Sequence, residues 1–419
     1  MRIRVLAAIF ALAATLVGCS SEPAAPPAAY DRPPRAEVSP NFEGAPELPP
    51  PDMTDAGPGS LLDVKPVTGI AAFDDANAAA VRVSFKSTSG RDGAPSLVTG
   101  VVVVPPGQAP KGGWPIVVFG HAMTGVQPKC APTLAEDYWG YASAIVTLVG
   151  RGFVVAFPDF EGLGAEGSNL HSAVDATTLG NNMIDAARAA RRVLPAASLQ
   201  WAAYGLGEGG LAAWSAAERA GTYGAGIDLV GAVALSPYAD LAPLVDAAEQ
   251  GTLGGPGQAR NYIWILQSLS HMDPEFDLDR YRSGVARDRW DTLADCAPPD
   301  PEETKRLLTE LDHNDLKPRD PAAAADLRQR LADAGLPPSY PTPGAAPVLV
   351  TFGTLDNSSP PEGIQSAIDR ACAKGEQIEV LTRVGGSNAS DDQMVDTAIG
   401  WLYSRFAGER LGNVCVGAA

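Results

Sequence analysis

Residues 199–214 read Leu-Gln-Trp-Ala-Ala-Tyr-Gly-Leu-Gly-Glu-Gly-Gly-Leu-Ala-Ala-Trp. A short apolar run ends in a glycine-dense turn, and an alanine-rich helical stretch follows at once. A strand that turns sharply into a helix can hold one side chain at its tip for nucleophilic attack. Small residues must flank that tip, because neighbouring Cβ atoms would otherwise clash. Gly205 and Gly209 stand at the flanking positions, and the tip is Gly207. The turn is present and the hydroxyl is not.

A nucleophile of this kind needs a base, and the base needs an acid to orient it. Asp356, in Gly353-Thr354-Leu355-Asp356 after the apolar run at 347–352, is placed to be that acid. The base belongs in the following loop, Val384-Gly385-Gly386-Ser387-Asn388, which holds no histidine. The four histidines are His121, His171, His271 and His313. Glu208 could attack as a carboxylate, but the glycine spacing puts Gly207 at the tip, and no base is available to such an intermediate. At the start of a helix its charge is favoured by the helix dipole instead. His121, in Gly120-His121-Ala122-Met123-Thr124-Gly125, is a candidate base or a partner of backbone groups. His171 follows the Pro158-Asp159 loop, where it could line a cleft. His271 and His313, among charged residues, are expected to be exposed.

The elements that must position these residues alternate. Val81–Phe85 and Leu97–Val104 read as antiparallel leading strands. Strands follow at 115–119, 153–157, 200–205 and 229–235, with helical stretches at 136–149 and 177–194 and after the glycine turn. The rhythm breaks after Ser236-Pro237 for about 110 residues, which are helical and rich in Asp and Pro. It resumes with a strand at 347–352, a helix at 362–373, a strand at 377–381 and a helix at 393–406. This pattern predicts a mostly parallel sheet flanked by helices, with a core at 61–236 and 347–419 and an inserted helical cap at 237–346. The run Tyr262–Leu266 is cap core or the lining of an acyl pocket, and core packing is the commoner use of such a run.

The ends and the charge bound the setting. Met1–Arg4 is basic and 5–17 is apolar but too short to span a bilayer, which takes about 20 residues. Leu16-Val17-Gly18-Cys19 then matches a bacterial lipobox, so residues 1–19 read as a lipoprotein signal peptide and Cys19 as the lipidated residue. Residues 20–60 hold eleven prolines and read as an extended tether. The net charge of −18 argues against nucleic acid as a partner. Cys130, Cys296, Cys372 and Cys415 remain for two bridges in an oxidising compartment. No Cys-x-x-Cys or His-rich cluster supports a metal site, and no cofactor is implied.

Four segments in order resemble the secreted lipase family of α/β-hydrolases, over about residues 65–415. They are Gly120–Gly125 with Cys130-Ala131-Pro132, then Pro158-Asp159-Phe160-Glu161-Gly162-Leu163-Gly164, then the glycine turn against the family's Gly-x-Ser-Gln-Gly-Gly, and last Trp401-Leu402-Tyr403-Ser404-Arg405-Phe406-Ala407-Gly408. The resemblance implies an α/β-hydrolase fold and places His121, Ala122 and Met123 at the oxyanion segment. It puts Glu208 where the family has Gln, and favours the pairings Cys130–Cys296 and Cys372–Cys415. It also shows the departure, since two of three catalytic positions lack their side chain. In a serine protease, loss of nucleophile or base costs about 10⁶ in kcat, and about 10³–10⁴ over water survives from the oxyanion hole and binding. The expectation is an exported, lipid-anchored protein on the outer face of the cytoplasmic membrane, inactive as a hydrolase, binding an acyl or lipid ligand or an envelope protein partner. The alternative is an active ester hydrolase or lipase with a rearranged site.

Overall fold

Val98, Val102 and Val104 pack on one side of their strand, and Val101 and Val103 on the other. A run buried on both faces has to be an interior strand of a layered sheet. The computed structural model describes residues 48–164, 171–336, 346–386, 392–412 and 415. Its strands are β1 (Leu61–Pro66), β2 (Ala79–Thr88), β3 (Pro95–Val104), β4 (Ile116–Gly120), β5 (Val154–Pro158), β6 (Gln200–Leu206), β7 (Asp228–Leu235), β8 (Val348–Gly353) and β9 (Ile378–Arg383). They form one sheet in the order β1-β2-β3-β5-β4-β6-β7-β8-β9. The pairs from β1 to β3 and from β3 to β5 are antiparallel, and the rest are parallel. This is the mostly parallel sheet that the alternating pattern predicts.

The early helices are α1 (Ala71–Asp75), α2 (Tyr141–Gly150), α3 (Ala176–Val193) and α4 (Glu208–Tyr223). Between β7 and β8 lie α5 (Ala242–Gln250), α6 (Gly255–Met272), α7 (Gly284–Asp288), α8 (Trp290–Ala294), α9 (Pro301–Glu310) and α10 (Pro321–Ala334). The last two are α11 (Pro361–Ala373) and α12 (Asp392–Ala407). One apolar cluster joins α3, α4 and the helices after β7 to one face of the sheet, and a second packs α1, α2 and α12 on the other. Tyr262–Leu266 belongs to the first cluster, so that run is core. Helix α3 begins at Asp175, whose carboxylate accepts from the Thr177 and Thr178 amides, the N-cap arrangement that short polar side chains favour.

Two places differ from the sequence reading. The proline-rich stretch is docked from Asp52 onward: the Asp52 amide donates to Arg192 O, and Ser60 is buried. The guanidinium of Arg192, in the last turn of α3, also binds the Asp52 carboxylate at 3.0 Å. The edge strand β1 then pairs with β2, a contact its mixed composition does not advertise. Cys19, Ser387 and Asn388 lie outside the described residues.

Both bridges that the resemblance implies are formed. Cys130–Cys296 ties the loop after β4 to the helical segment, and Cys372–Cys415 ties α11 to the end of the chain.

On α4, buried Glu218 shares a hydrogen bond with buried Glu376, to which the Trp214 Nε1–H also donates at 3.3 Å. Burial first, and the Glu376 charge second, push the Glu218 pKa up to about 9. A carboxyl raised above its unfolded value of 4.5 favours folding in its protonated form. Its stabilisation is complete below pH 4.5 and is lost as pH rises toward about 9. Glu218→Gln, which keeps a donor for Glu376, is expected to flatten the fall of Tm between pH 5 and 9. An unchanged slope in thermal melts of the variant would refute the shared proton.

Candidate functional site

Strands β4 and β6 end side by side, with Gly120 opposite Gly205. The backbone then reverses at Gly207, with φ +57° and ψ −110°, and enters α4 at Glu208. The Gly207 amide donates to Leu235 O at 2.9 Å, and its carbonyl accepts from the Tyr238 amide at 3.1 Å. Side chains are excluded beside the tip. A Cβ on Gly205 would lie 2.0 Å from Gly209 O, and one on Gly209 would lie 2.0 Å from Gly120 O. At the tip they are not, since a Cβ on Gly207 would meet Tyr238 Cε1 at 3.4 Å and the Ala122 Cβ at 3.7 Å, ordinary contacts. The turn therefore has the strain and the room of a nucleophile elbow. It carries no nucleophile.

Glu208, next to the tip, is fully buried and turned to His171, whose Nε2 lies 2.5 Å from Glu208 Oε1. The other nitrogen, Nδ1, donates to Glu161 O at 2.8 Å. Burial pushes the His171 pKa down, and the Glu208 carboxylate more than offsets it by charge and hydrogen bond, so the net shift is upward. The Glu208 contact therefore favours the protonated ring, in which both ring N–H groups donate. Its surroundings extend to α6, where the Ser268 hydroxyl donates to His171 O and accepts from the Ala173 amide. Glu208 Oε2 has no hydrogen-bond partner among the described residues.

The loop after β4 lies against the elbow. His121 is fully buried, with Nδ1 2.7 Å from Ala122 O and Nε2 3.2 Å from Asp159 O, so its polar contacts are to backbone carbonyls. Met123 is buried in the core cluster. The Ala122 amide donates to the Tyr141 hydroxyl at 3.0 Å. Burial and the charge of Glu208 keep that phenol neutral, with its pKa pushed up to about 12 against the opposing Ala122 contact. An amide that an oxyanion could have claimed is bound to a side chain of α2.

Asp356 follows β8 and is nearly inaccessible. Its Oδ1 accepts from the Ser358 and Ser359 amides at 2.8 and 3.0 Å. Oδ2, the oxygen left to orient a base, has no partner among the described residues. The Ser359 hydroxyl donates to Ser236 O at 2.5 Å, which ties this loop to the end of β7. Tyr238, fully enclosed, feels the charges of both Glu208 and Asp356, and burial together with those charges drives its pKa far upward. The structure thus brings Gly207, Glu208 and Asp356 around one tyrosine, Tyr238.

Two of these groups, and one pairing, escaped sequence reasoning. His171 is 37 residues from Glu208, and nothing in either neighbourhood marks the pair. Tyr141 and Tyr238 look like ordinary aromatic residues of a helix start and a loop. Among the other histidines, His313 is exposed beside Asp312, as its setting predicts. His271 differs. It is half-buried, Nε2 meets Gln267 Nε2 at 2.6 Å, and burial lowers its pKa.

The sheet, the elbow between β6 and α4, and an acid after β8 define a protein of the α/β-hydrolase class. The family model for secretory lipases matches residues 140–413, most of the chain. The chain belongs to the secretory lipase family. Its fold is similar to that of lipase A from Candida antarctica in its closed state, with TM-score 0.66 and 15% identity over 86% of this chain and 84% of the other. It is also similar to the rice cell wall degrading esterase LipA from Xanthomonas oryzae, with TM-score 0.62 and 20% identity over 84% and 96% of the two chains. No curated protein matches at a significant level.

Proposed function

We propose that this chain is a non-hydrolytic member of its family, held at the outer face of the cytoplasmic membrane by a lipid on Cys19 and using the hydrolase scaffold to bind an acyl ligand. The observation that carries the reading is the elbow, which keeps its strained backbone around Gly207 with no side chain to attack. The absence of histidine from residues 314–419 supports it, as does Asp356 Oδ2, which has no partner among the described residues. A buried Asp–Glu–Tyr surrounding without a nucleophile can bind but cannot form an acyl intermediate.

The test is turnover of p-nitrophenyl butyrate by the purified protein, expected to equal that of a heat-inactivated control. One observation favours a second reading, in which the protein hydrolyses esters by another route: the buried Glu208–His171 pair beside the elbow. Turnover by the native protein that disappears in Glu208→Gln would establish that reading and end the first. For the anchor, Cys19→Ala is expected to shift the protein from the detergent phase to the aqueous phase in Triton X-114 partitioning. Unchanged partitioning would refute lipidation at Cys19.

A further inference from the structure

Arg188, Arg191 and Arg192 stand three and four residues apart near the end of α3, so their side chains leave one face of the helix. They line a cavity of about 540 Å³, bounded on its other side by Leu199 before β6, Ile227 before β7 and Tyr223 at the end of α4. That volume lies in the range of small-molecule sites. The cavity sits where these two strands begin, whereas the elbow lies past the far end of β6. The length of that strand, on the order of 23 Å, separates the two. On a chain of net charge −18, three guanidinium groups gathered in one cavity need a reason.

Two of the three charges are met from within the protein. Arg188 binds the Asp185 carboxylate and the Tyr223 and Ala225 carbonyls. Arg192 binds the Asp52 carboxylate at 3.0 Å and the Thr54 carbonyl at 2.7 Å, both through Nη1. Arg191 is half-buried and donates from Nη1 to the Ala197 carbonyl, with no carboxylate partner among the described residues. Burial lowers its pKa, and no neighbouring charge opposes that shift. One positive charge is therefore left over in the cavity, partly desolvated and uncompensated. The Nε and Nη2 atoms of both Arg191 and Arg192 have no partner among the described residues. That edge of a guanidinium is one that binds two oxygens of an anion at once. The Asp52 carboxylate, seated on the other side of Arg192, shows that an oxyanion reaches this cavity.

We infer that the arginine cavity at the end of α3 binds a phosphate monoester, its oxygens held by the Nε and Nη2 edges of Arg191 and Arg192 and its organic part against Leu199 and Ile227. A tetrahedral phosphate presents three oxygens to two separate forks, whereas a planar carboxylate fills only one. The apolar walls suit an ester better than the bare ion. A soluble phosphate ester and a lipid headgroup share this chemistry. The site is independent of the acyl-binding reading, because no residue of the elbow takes part in it.

The experiment is calorimetric titration of the detergent-solubilised full-length protein with glycerol 1-phosphate, with dioleoylphosphatidic acid in the same micelles, and with butyrate. The expected result is saturable binding of a phosphate monoester at least about tenfold tighter than butyrate. Arg191→Gln is expected to weaken it about tenfold or more, the usual effect of one charge-assisted hydrogen bond. Arg191→Lys, which keeps the charge and loses the fork, should fall between that variant and wild type. Asp52→Asn removes a competing carboxylate and is expected to tighten binding about threefold. Thermal melts without ligand show whether each variant folds, and the Asp52→Asn shift decides alone if Arg191→Gln does not. Phosphatidic acid binding more tightly than glycerol 1-phosphate would assign the site to a lipid headgroup, and equal binding to a soluble ester. Butyrate binding as tightly as the phosphates would overturn the ligand class. No saturable binding of either phosphate, or binding unchanged in both Arg191→Gln and Asp52→Asn, would overturn the site.

Discussion

Gly207→Ser alone is expected to leave p-nitrophenyl butyrate turnover at background, whereas Gly207→Ser combined with Asn388→His is expected to raise it by about 10²–10⁴. The single change is structurally permitted. The φ of +57° at the tip is already that of an elbow, and the added Cβ meets only Tyr238 and Ala122 at contact distances. A serine hydroxyl is nonetheless a weak nucleophile until a base takes its proton, and a positioned base contributes about 10²–10⁴. Residues 384–388 supply only Val, Gly, Gly, Ser and Asn. A histidine at 388 follows β9 in the chain order that the fold uses, and Asp356 Oδ2, which has no partner among the described residues, could receive its Nδ1–H. Asn388→His without the serine should also stay at background, so the pattern is strongly non-additive. Turnover in the Gly207→Ser single variant equal to that of the double variant would mean a base already faces the elbow, and the account of the missing chemistry would fail.

The permissive geometry at Gly207 explains why the elbow could be read from sequence. Glycines at 205 and 209 are forced by backbone oxygens 2.0 Å from where their Cβ atoms would stand, so that spacing has almost no other physical use. Strands β3 to β8 were equally legible, because a strand buried on both faces must be a continuous apolar run. The edge strand β1, with Asp63 and Lys65 facing water, lacks that constraint and left no trace. Burial of the charged centre was not legible at all. Glu208 read as a helix-start charge and His171 as a cleft-lining residue, but not as partners, since a buried charge is tolerated only when its partner is in place and that partner is set by the tertiary fold. Tyr141 was hidden for a related reason. Its contact with the Ala122 amide depends on a left-handed turn at Trp139 and Gly140 that composition does not announce.

The buried pair carries the second large effect. His171→Ala is expected to destabilise the protein by about 3–5 kcal/mol, the usual cost of leaving one member of a buried ion pair uncompensated. Both side chains are at most 1% exposed, so water cannot replace the lost imidazolium. Glu208→Gln should cost less, about 1–2 kcal/mol, because the amide still offers a hydrogen-bond partner and no charge is stranded. In the double variant the stranded carboxylate is gone, so its loss should be smaller than that of His171→Ala alone, with a coupling energy of about 2–3 kcal/mol. The pH dependence follows from the upward shift of His171, a group whose protonated form the fold favours. Its contribution is complete below the unfolded value of 6.5 and is lost as pH rises through the folded value above it. Glu208→Gln should therefore narrow the gap to wild type as pH rises through that range. Urea unfolding at pH 6 and pH 9 for the four proteins measures all of this. A cost for His171→Ala below about 1 kcal/mol, or additive single effects, would show that the contact is not an ion pair, and that the start of α4 is held by packing alone.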